Sequence, residues 1–112
     1  MNWRPLNSDG DLKKIIEDSY QKPQAIFKHS TRCGISAMMK NRLGSKWEKN
    51  NPTIPIHLLD LLANRELSSR IADDFGIHHE SPQLIVLEDG ASTYHASHIG
   101  ISSSAVAKHI GR

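Results

Sequence analysis

The chain has 112 residues, of which 38% are hydrophobic and 23% charged, and its formal net charge is +2. These values suit one globular domain with its own core, and the charge is too small to indicate a nucleic-acid-binding protein. The N-terminal segment lacks the continuous apolar region of a signal peptide, and no apolar stretch approaches the ~18 residues that span a bilayer. We therefore expect a single domain over residues 1–112, located in the cytoplasm, with neither nucleic acid nor a membrane as partner.

The first predicted elements are a helix and a short strand. Ser8 or Asp9 is a favourable cap for a helix that runs to about Tyr20. Its apolar face consists of Leu12, Ile15, Ile16 and Tyr20. Residues 22–24 contain a proline and interrupt the helix, and Ala25–His29 then has the length and the β-enriched centre of a strand.

A second helix is predicted where this strand ends. The segment from Gly34 to about Trp47 has apolar residues at helical spacing, and Ser30 or Thr31 is its expected cap. These apolar residues are Ile35, Met38, Met39, Leu43 and Trp47. Cys33 therefore lies where a strand gives way to a helix.

The middle of the chain repeats this order. Residues 54–62 predict a buried strand, whose pairing we expect to begin near Ile56 because Pro55 cannot donate a hydrogen bond. Asn64 can cap the helix that follows, and Gly76 can end it in a left-handed conformation. The residues expected to point inward from this helix are Leu67, Ile71, Ala72 and Phe75.

The last third of the chain predicts a hairpin and a helix. Residues 84–87 form an apolar strand, residues 88–91 contain an Asp-Gly turn, and residues 92–98 form the antiparallel partner. Ser102 or Ser103 can cap a last helix through residue 110. The predicted order is αβαβαββα, which indicates an α/β domain.

Cys33 is the single cysteine, so no internal disulfide can form. A thiol reacts as its thiolate, and the unpaired N–H groups at the start of a helix favour that anion. Arg32 beside it, with Lys28 and His29 upstream, can add positive potential. The alternative interpretation is a buried, unreactive Cys33 beside a solvated Arg32.

Two further positions bear on the same chemistry. Ser36 follows Cys33 by three residues, where a two-cysteine oxidoreductase has its resolving thiol, so a mixed disulfide on Cys33 must be released by an outside thiol. Its hydroxyl either hydrogen-bonds the thiolate or caps the helix. Pro82 precedes an apolar strand; in the cis form it would present the backbone of Ser81 to a substrate sulfur, whereas local sequence alone favours an ordinary trans proline.

The seven histidines raise the question of a metal site, above all at His78-His79 and at His95 and His98. Adjacent histidines in a loop do not readily converge on one ion, and residues three apart on a strand point to opposite faces. We therefore expect no metal site.

The block from Ile26 to Ser36, with the sequence IFKHSTRCGIS, resembles the monothiol bacilliredoxins of the YtxJ type, which are thioredoxin-fold proteins of the bacillithiol system in bacteria. Trp3, the helix ending near Ser19 and the segment from Ser81-Pro82 to Gly90 extend the similarity over nearly the whole chain. The resemblance implies a thioredoxin-like fold with a central mixed four-stranded sheet flanked by helices. It also implies that Cys33 is the nucleophile, that Pro82 is cis, and that the reaction removes a low-molecular-weight thiol, bacillithiol, from S-thiolated proteins.

In such a mechanism the backbone N–H groups of Gly34, Ile35 and Ser36 stabilise the thiolate, and the Ser81 main chain aligns the disulfide beside Pro82. Thr31 and Arg32 complete the expected site. We expect no tightly bound cofactor, with bacillithiol or another low-molecular-weight thiol as co-substrate. The expected partners are S-thiolated proteins and a regenerating thiol or reductase.

Gly34 departs from the family pattern, in which we expect proline after the cysteine more often. The resulting Cys-Gly-Ile-Ser is similar to the Cys-Gly-Phe-Ser site of monothiol glutaredoxins, which carry [2Fe–2S] clusters with glutathione. An alternative function is therefore an iron–sulfur carrier that binds a cluster through Cys33 and an external thiol in a dimer. A redox-inert thioredoxin-like interaction module is a third interpretation.

Overall fold

The computed structural model describes residues 2–112, which form one mixed sheet with helices on both faces. The strands are β1 (Trp3–Pro5), β2 (Gln24–His29), β3 (Ile56–Asp60), β4 (Gln83–Glu88) and β5 (Ala91–Ser97). The helices are α1 (Asp9–Asp18), α2 (Gly34–Asn50), α3 (Arg65–Phe75) and α4 (Ser103–Ile110), and a 3₁₀ turn covers His98–Gly100. Each predicted helix and strand is present, with ends shifted by a few residues.

The sheet has the strand order β1-β3-β2-β4-β5. Strand β3 runs parallel to β1 and β2, whereas β4 runs antiparallel to both β2 and β5. The expected four-stranded sheet is therefore corrected to five strands, because Trp3–Pro5 pairs with the start of β3. A three-residue strand is too short to show a periodicity, and at the edge of a sheet its proline costs no internal hydrogen bond.

The helices divide into two layers that bury the two faces of the sheet. On one face, α1 and α3 cover an apolar cluster that includes Leu12, Ile15, Ile26, Leu67, Ile71 and Ile85. On the other face, α2 and α4 cover Phe27, Met39, Leu43, Trp47, Leu84 and Val106. The alternation along β2 thus supplies one core with Ile26 and the other with Phe27.

Most predicted helix ends are confirmed. The hydroxyl of Ser8 accepts a hydrogen bond from the Asp11 N–H at the start of α1, and Ser102 caps α4 in the same way. Gly76 ends α3 with a φ of 63°, the left-handed conformation that its lack of a side chain permits. Asn64 occupies the cap position of α3 without a side-chain capping bond.

Helix α2 begins differently from the expectation. Its N-cap residue is Cys33 rather than Ser30 or Thr31, and the Cys33 side chain forms no capping hydrogen bond. The two upstream residues instead belong to the connection between β2 and α2. The position expected to be reactive therefore coincides with the N-cap of the helix.

Three apolar side chains expected in the core lie on the surface: Tyr20, Ile35 and Met38. Tyr20 follows the end of α1, and its ring covers Gly90 at the β4–β5 turn. Ile35 and Met38 each lie one residue before a buried residue of α2, Ser36 and Met39, so they point to a neighbouring face of the helix. The predicted helical spacing is correct for Met39, Leu43 and Trp47, but the buried face of α2 continues through Ser36 and not through Ile35.

Candidate active site around Cys33

Cys33 lies at the edge of the sheet where β2 ends. The chain leaves His29, turns through residues 30–32 and reaches Cys33 in an extended conformation, with φ −110° and ψ 117°. The Cys33 N–H donates to the Ser30 carbonyl at 3.2 Å, and the Cys33 carbonyl accepts from the Ala37 N–H at 3.1 Å. The side chain is partly exposed, which differs from the buried cysteine of the alternative interpretation.

The backbone around the thiol is suited to an anion. The N–H groups of Gly34, Ile35 and Ser36 belong to the first turn of α2, where an α-helix provides no intrahelical acceptor. The helix dipole adds partial positive charge at this end. The thiolate contacts of these residues stay a prediction, as do those of the exposed Thr31 and Arg32, which lie on the turn before Cys33.

The Ser36 hydroxyl is buried and forms hydrogen bonds away from the thiol. It lies 2.7 Å from Nδ1 of His29 and accepts a hydrogen bond from the Ser30 N–H at 3.0 Å. Within residues 2–112 no hydrogen bond joins it to Cys33. Ser36 therefore fastens the start of α2 to the end of β2 and closes the connection that carries Cys33.

Lys28 and His29 point to opposite faces of the sheet, as neighbours on a strand must. His29 packs beneath α2, stacked on Phe27 with ring centroids 6.0 Å apart, whereas the Lys28 ammonium reaches α3 and donates to the Ser68 carbonyl at 3.1 Å. Burial, together with the charge of Lys40, lowers the pKa of His29 against an opposing effect of Asp60. Both side chains thus have contacts of their own on opposite faces of the sheet, and a contribution of their charge to the thiol stays a prediction.

Pro82 lies at the same edge of the sheet. Gln83, the first residue of β4, pairs with Lys28 in antiparallel register, so Pro82 lies next to the end of β2. The Ser81–Pro82 peptide bond is cis, as the family resemblance implied. The Pro82 carbonyl accepts a hydrogen bond from the His98 N–H at 3.0 Å, which ties it to the 3₁₀ turn.

Two buried side-chain oxygens beside Pro82 have no hydrogen-bond partner among the described residues. They are Oγ of Ser81 and Oε1 of Gln83. Native proteins leave few buried polar atoms unpaired, and such atoms concentrate at functional sites. The sequence analysis did not single out Gln83.

The side chains around this edge are also apolar and exposed. Ile35 and Met38 on α2 are 46% and 51% exposed, and Ile99 in the 3₁₀ turn is 71% exposed. The 3₁₀ turn packs against α2, and its residue His98 donates a hydrogen bond to Pro82, so exposed apolar side chains of both elements lie at this end of the sheet. Apolar spacing predicted that Ile35 and Met38 lie in the core, but the face of α2 that is buried runs through Ser36 and Met39 instead.

Several histidine rings lie within hydrogen-bond distance of other side chains. In the described part of the chain, no three His, Cys, Asp or Glu residues lie close enough together to hold an ion. His79 is engaged with Lys28, and His98 lies 2.9 Å from a carboxylate oxygen of Glu80.

None of the helices in residues 2–112 has the length and apolar character needed to cross a membrane.

Comparison with known proteins gives the same fold and points to one family. The family model described as "Monothiol bacilliredoxin BrxC" matches residues 4–106. A solved structure described as a candidate oxidoreductase with a thioredoxin fold is 27% identical, with a TM-score of 0.83 over 95% of this chain and 91% of that one. Thioredoxin from Fasciola hepatica is 18% identical, with a TM-score of 0.76 over 97% of each chain. Mitochondrial thioredoxin 3 from Saccharomyces cerevisiae is also 18% identical, with a TM-score of 0.75 over 97% of this chain and 93% of that one.

Proposed function

Because the chain belongs to the monothiol bacilliredoxin family, we propose that it uses Cys33 to remove a low-molecular-weight thiol, in particular bacillithiol, from S-thiolated proteins. The family and the fold together make it a thioredoxin-fold thiol oxidoreductase. The observation that carries the finer proposal is the position of Cys33. It is a partly exposed residue at the N-cap of α2, and Pro82 lies beside the end of β2 that leads to it.

The proposed reaction has two exchange steps. The Cys33 thiolate attacks the small-thiol sulfur of a protein–S–S–R mixed disulfide, forms Cys33–S–S–R and releases the protein thiolate, which takes a proton from water. A second small thiolate, RS⁻, then attacks the R sulfur of that adduct, so that RSSR leaves and the Cys33 thiolate returns. A reductase can replace the second thiol in this step.

The residues around Cys33 have distinct tasks in this proposal. The first-turn N–H groups of α2 stabilise the thiolate, and the Ser81 main chain aligns the incoming disulfide. The exposed Ile35, Met38 and Ile99 offer apolar contact to the protein part of the substrate. Arg32, exposed next to the thiol, attracts the carboxylates that small cellular thiols carry.

Two features support a monothiol mechanism in the cytoplasm. Ser36 takes the place of a resolving cysteine, so the mixed disulfide on Cys33 can only be opened from outside. A free thiol without a disulfide partner is also typical of a reducing compartment.

The deciding experiment is exchange with a defined substrate. A model protein carrying a single bacillithiol mixed disulfide is incubated with wild type or with Cys33→Ser, and mass spectrometry follows the loss of bacillithiol and the adduct on the added protein. Wild type should acquire one bacillithiol on Cys33, whereas Cys33→Ser should leave the substrate unchanged and keep a native circular dichroism spectrum. Retained exchange by Cys33→Ser would sink the proposal.

The same assay with a glutathione mixed disulfide identifies the small thiol. Faster exchange with the bacillithiol substrate supports a specificity for bacillithiol. Equal rates would indicate that the protein acts on a broader class of small thiols. An inert Cys33 would instead favour an interaction module, and a coloured dimer after iron–sulfur reconstitution would favour a cluster carrier.

A dithiol variant tests the geometry of the helix start. In Ser36→Cys we expect an internal disulfide under mild oxidation, because the two thiols would have the spacing of a two-cysteine oxidoreductase. Thiol titration before and after oxidation measures it. Failure to form the bond would contradict the placement of residues 33 and 36 in one helical turn.

A further inference from the structure

A cluster of three buried polar side chains and one exposed histidine lies next to Pro82, on the α3 side of the sheet. We call it the Lys28 cluster; its members are Lys28, Ser68, His79 and Gln83. Lys28 is fully buried, and its ammonium donates to the Ser68 carbonyl at 3.1 Å and lies 3.2 Å from Nδ1 of His79. The Ser68 hydroxyl lies 3.4 Å from the same nitrogen.

The chemistry of the pair assigns the proton on the imidazole. An ammonium can only donate, so Nδ1 of His79 accepts and the ring proton resides on Nε2. Burial, and next the charge of Lys28, lower the pKa of His79 against an opposing effect of Glu80, which is consistent with a neutral ring. His79, which lies between α3 and β4, thus receives its hydrogen bond from Lys28 of β2.

The cluster joins three elements at one point. Lys28 belongs to β2 and Ser68 to α3, while His79 belongs to the segment from residue 77 to residue 82, which links α3 to β4. The same segment has a second tie, because Gln83 opposite Lys28 donates through Nε2 to the His78 carbonyl at 3.0 Å. Two contacts with the sheet, one to the His79 ring and one to the His78 carbonyl, therefore hold segment 77–82 just before it reaches Ser81 and Pro82.

Burying the Lys28 ammonium lowers the free energy of unfolding. Among the described residues, no carboxylate forms an ion pair with Lys28, and an apolar side chain of similar size would be buried at lower cost. Buried polar contacts of this kind are best explained by the geometry that they impose. The geometry here is the position of segment 77–82, which reaches Pro82 beside the end of β2 that leads to Cys33.

We propose that Lys28 and His79 are positioning residues that hold segment 77–82 so that the Ser81 main chain meets the disulfide attacked by Cys33. This inference rests on the proposed exchange reaction and assigns it two positioning residues. Within residues 2–112 no hydrogen bond joins either of them to Cys33. Their effect is on how well a mixed disulfide is aligned and not on how readily the thiolate forms.

His79 offers a matched set of variants because it is exposed apart from its contact with Lys28. His79→Leu removes the acceptor, whereas His79→Asn keeps an acceptor near the position of Nδ1. His78→Leu is the control, since it makes the same substitution one residue earlier, where the side chain forms no hydrogen bond within the described residues. Each variant is compared with wild type in two reactions: exchange with the mixed-disulfide substrate, and alkylation of Cys33 by iodoacetamide.

The expected result is a split between the two reactions. His79→Leu should lose roughly tenfold in kcat/KM for exchange, since misalignment of the reacting groups slows a reaction by factors of this order. Its alkylation rate should equal that of wild type, because a small alkylating reagent needs only the thiolate. His79→Asn should recover most of the exchange rate, and His78→Leu should behave as wild type. Lys28→Met should reproduce the exchange defect of His79→Leu without a fall in melting temperature.

Other results would overturn the inference. Wild-type exchange by His79→Leu would show that the tie to Lys28 does not position the site, and a parallel loss of alkylation would assign the effect to the thiol itself. Amide hydrogen exchange of segment 77–82 gives a reading independent of activity: it should be faster in His79→Leu than in His78→Leu, and equal protection would contradict the proposal even if the exchange reaction itself were absent.

Discussion

A charged side chain lies at each end of β4, fully buried at one end and partly buried at the other, and the two charges have opposite environments. At the start of β4, Lys28 is buried opposite Gln83 with a carbonyl and an imidazole as its partners. At the other end, the Glu88 carboxylate receives hydrogen bonds from Thr93, His109 and Arg112. One charge lacks a counter-ion and the other has an arginine.

The pKa values show whether each arrangement lowers or raises the stability of the folded protein. Burial lowers the pKa of Lys28 from 10.5 to about 8. Burial by itself raises the pKa of Glu88, but hydrogen bonds from Thr93, Arg112 and His109 outweigh it and lower that pKa. The folded state thus disfavours the charged form of Lys28 and favours that of Glu88. At the end of the sheet near Cys33, burial of the charged Lys28 lowers stability while its hydrogen bonds hold polar groups in position. At the far end, the hydrogen bonds to charged Glu88 raise stability.

The largest expected effect is a rise of stability in alkali. Below pH 8, Lys28 is protonated in both states and its burial cost is fully present. Between pH 8 and 10.5 the folded protein releases that proton while the unfolded chain keeps it, so the free energy of unfolding should rise by about 3 kcal/mol. Urea unfolding across this pH range measures the rise, and Lys28→Met should lack it. If the free energy of unfolding depended on pH in the same way in wild type and Lys28→Met, the rise would not come from Lys28, and the contrast between the two ends of β4 would be wrong.

Ser36→Ala tests the neutral polar contact at the same end of the sheet. The substitution leaves Nδ1 of His29 and the Ser30 N–H buried without their partner, so we expect a loss of about 2 kcal/mol in the free energy of unfolding. Ser45→Ala, an exposed serine on the same helix, is the control and should change little. Unfolding at neutral pH compares the two variants, and equal stabilities would mean that Ser36 does not fasten α2 to β2.

Glu88→Gln tests the far end. It should lower the free energy of unfolding by about 1–2 kcal/mol at neutral pH, because it weakens the hydrogen bonds from Arg112 and His109. The folded pKa of Glu88 is below its ordinary value of 4.5, so this stabilisation is present above pH 4.5 and is lost as the pH falls through the folded pKa. Acid unfolding of the variant should therefore lack that component. Its exchange rate should equal that of wild type, and a slower rate would show that the two ends are coupled.

The smallest effect is expected at Gly34, where a side chain has free space. Apart from its chain neighbours and the backbone of its own helix, nothing lies within 4 Å of a Cβ built there, and Cys33 before it has the extended conformation that a following proline requires. Gly34→Pro should therefore stabilise the protein by about 0.4–1 kcal/mol through the unfolded state. Thermal unfolding measures it, with Gly34→Ala as the comparison that keeps the N–H. Destabilisation by proline but not by alanine would show that this N–H has a partner in the folded protein.

The sequence by itself determined the local features of this protein. Ser8 and Ser102 as caps, Gly76 as a left-handed helix end and the Asp-Gly turn of the hairpin are confirmed, because each depends on a few adjacent residues. The junction of strand and helix at Cys33 follows from the same short-range patterns. The cis form of Pro82 came from the family resemblance alone, since local sequence favoured trans.

Only the tertiary structure decided which groups meet. Lys28 contacts Ser68 and His79 across 40 and 51 residues of sequence, and no local pattern encodes those distances. The fifth strand, the exposure of Ile35 and the contacts of Ser36 likewise depend on which strands pair and on which face of α2 packs against the sheet. Periodicity predicts which face of its own element a side chain lies on. Its contacts there depend on the packing of elements that are far apart in the chain.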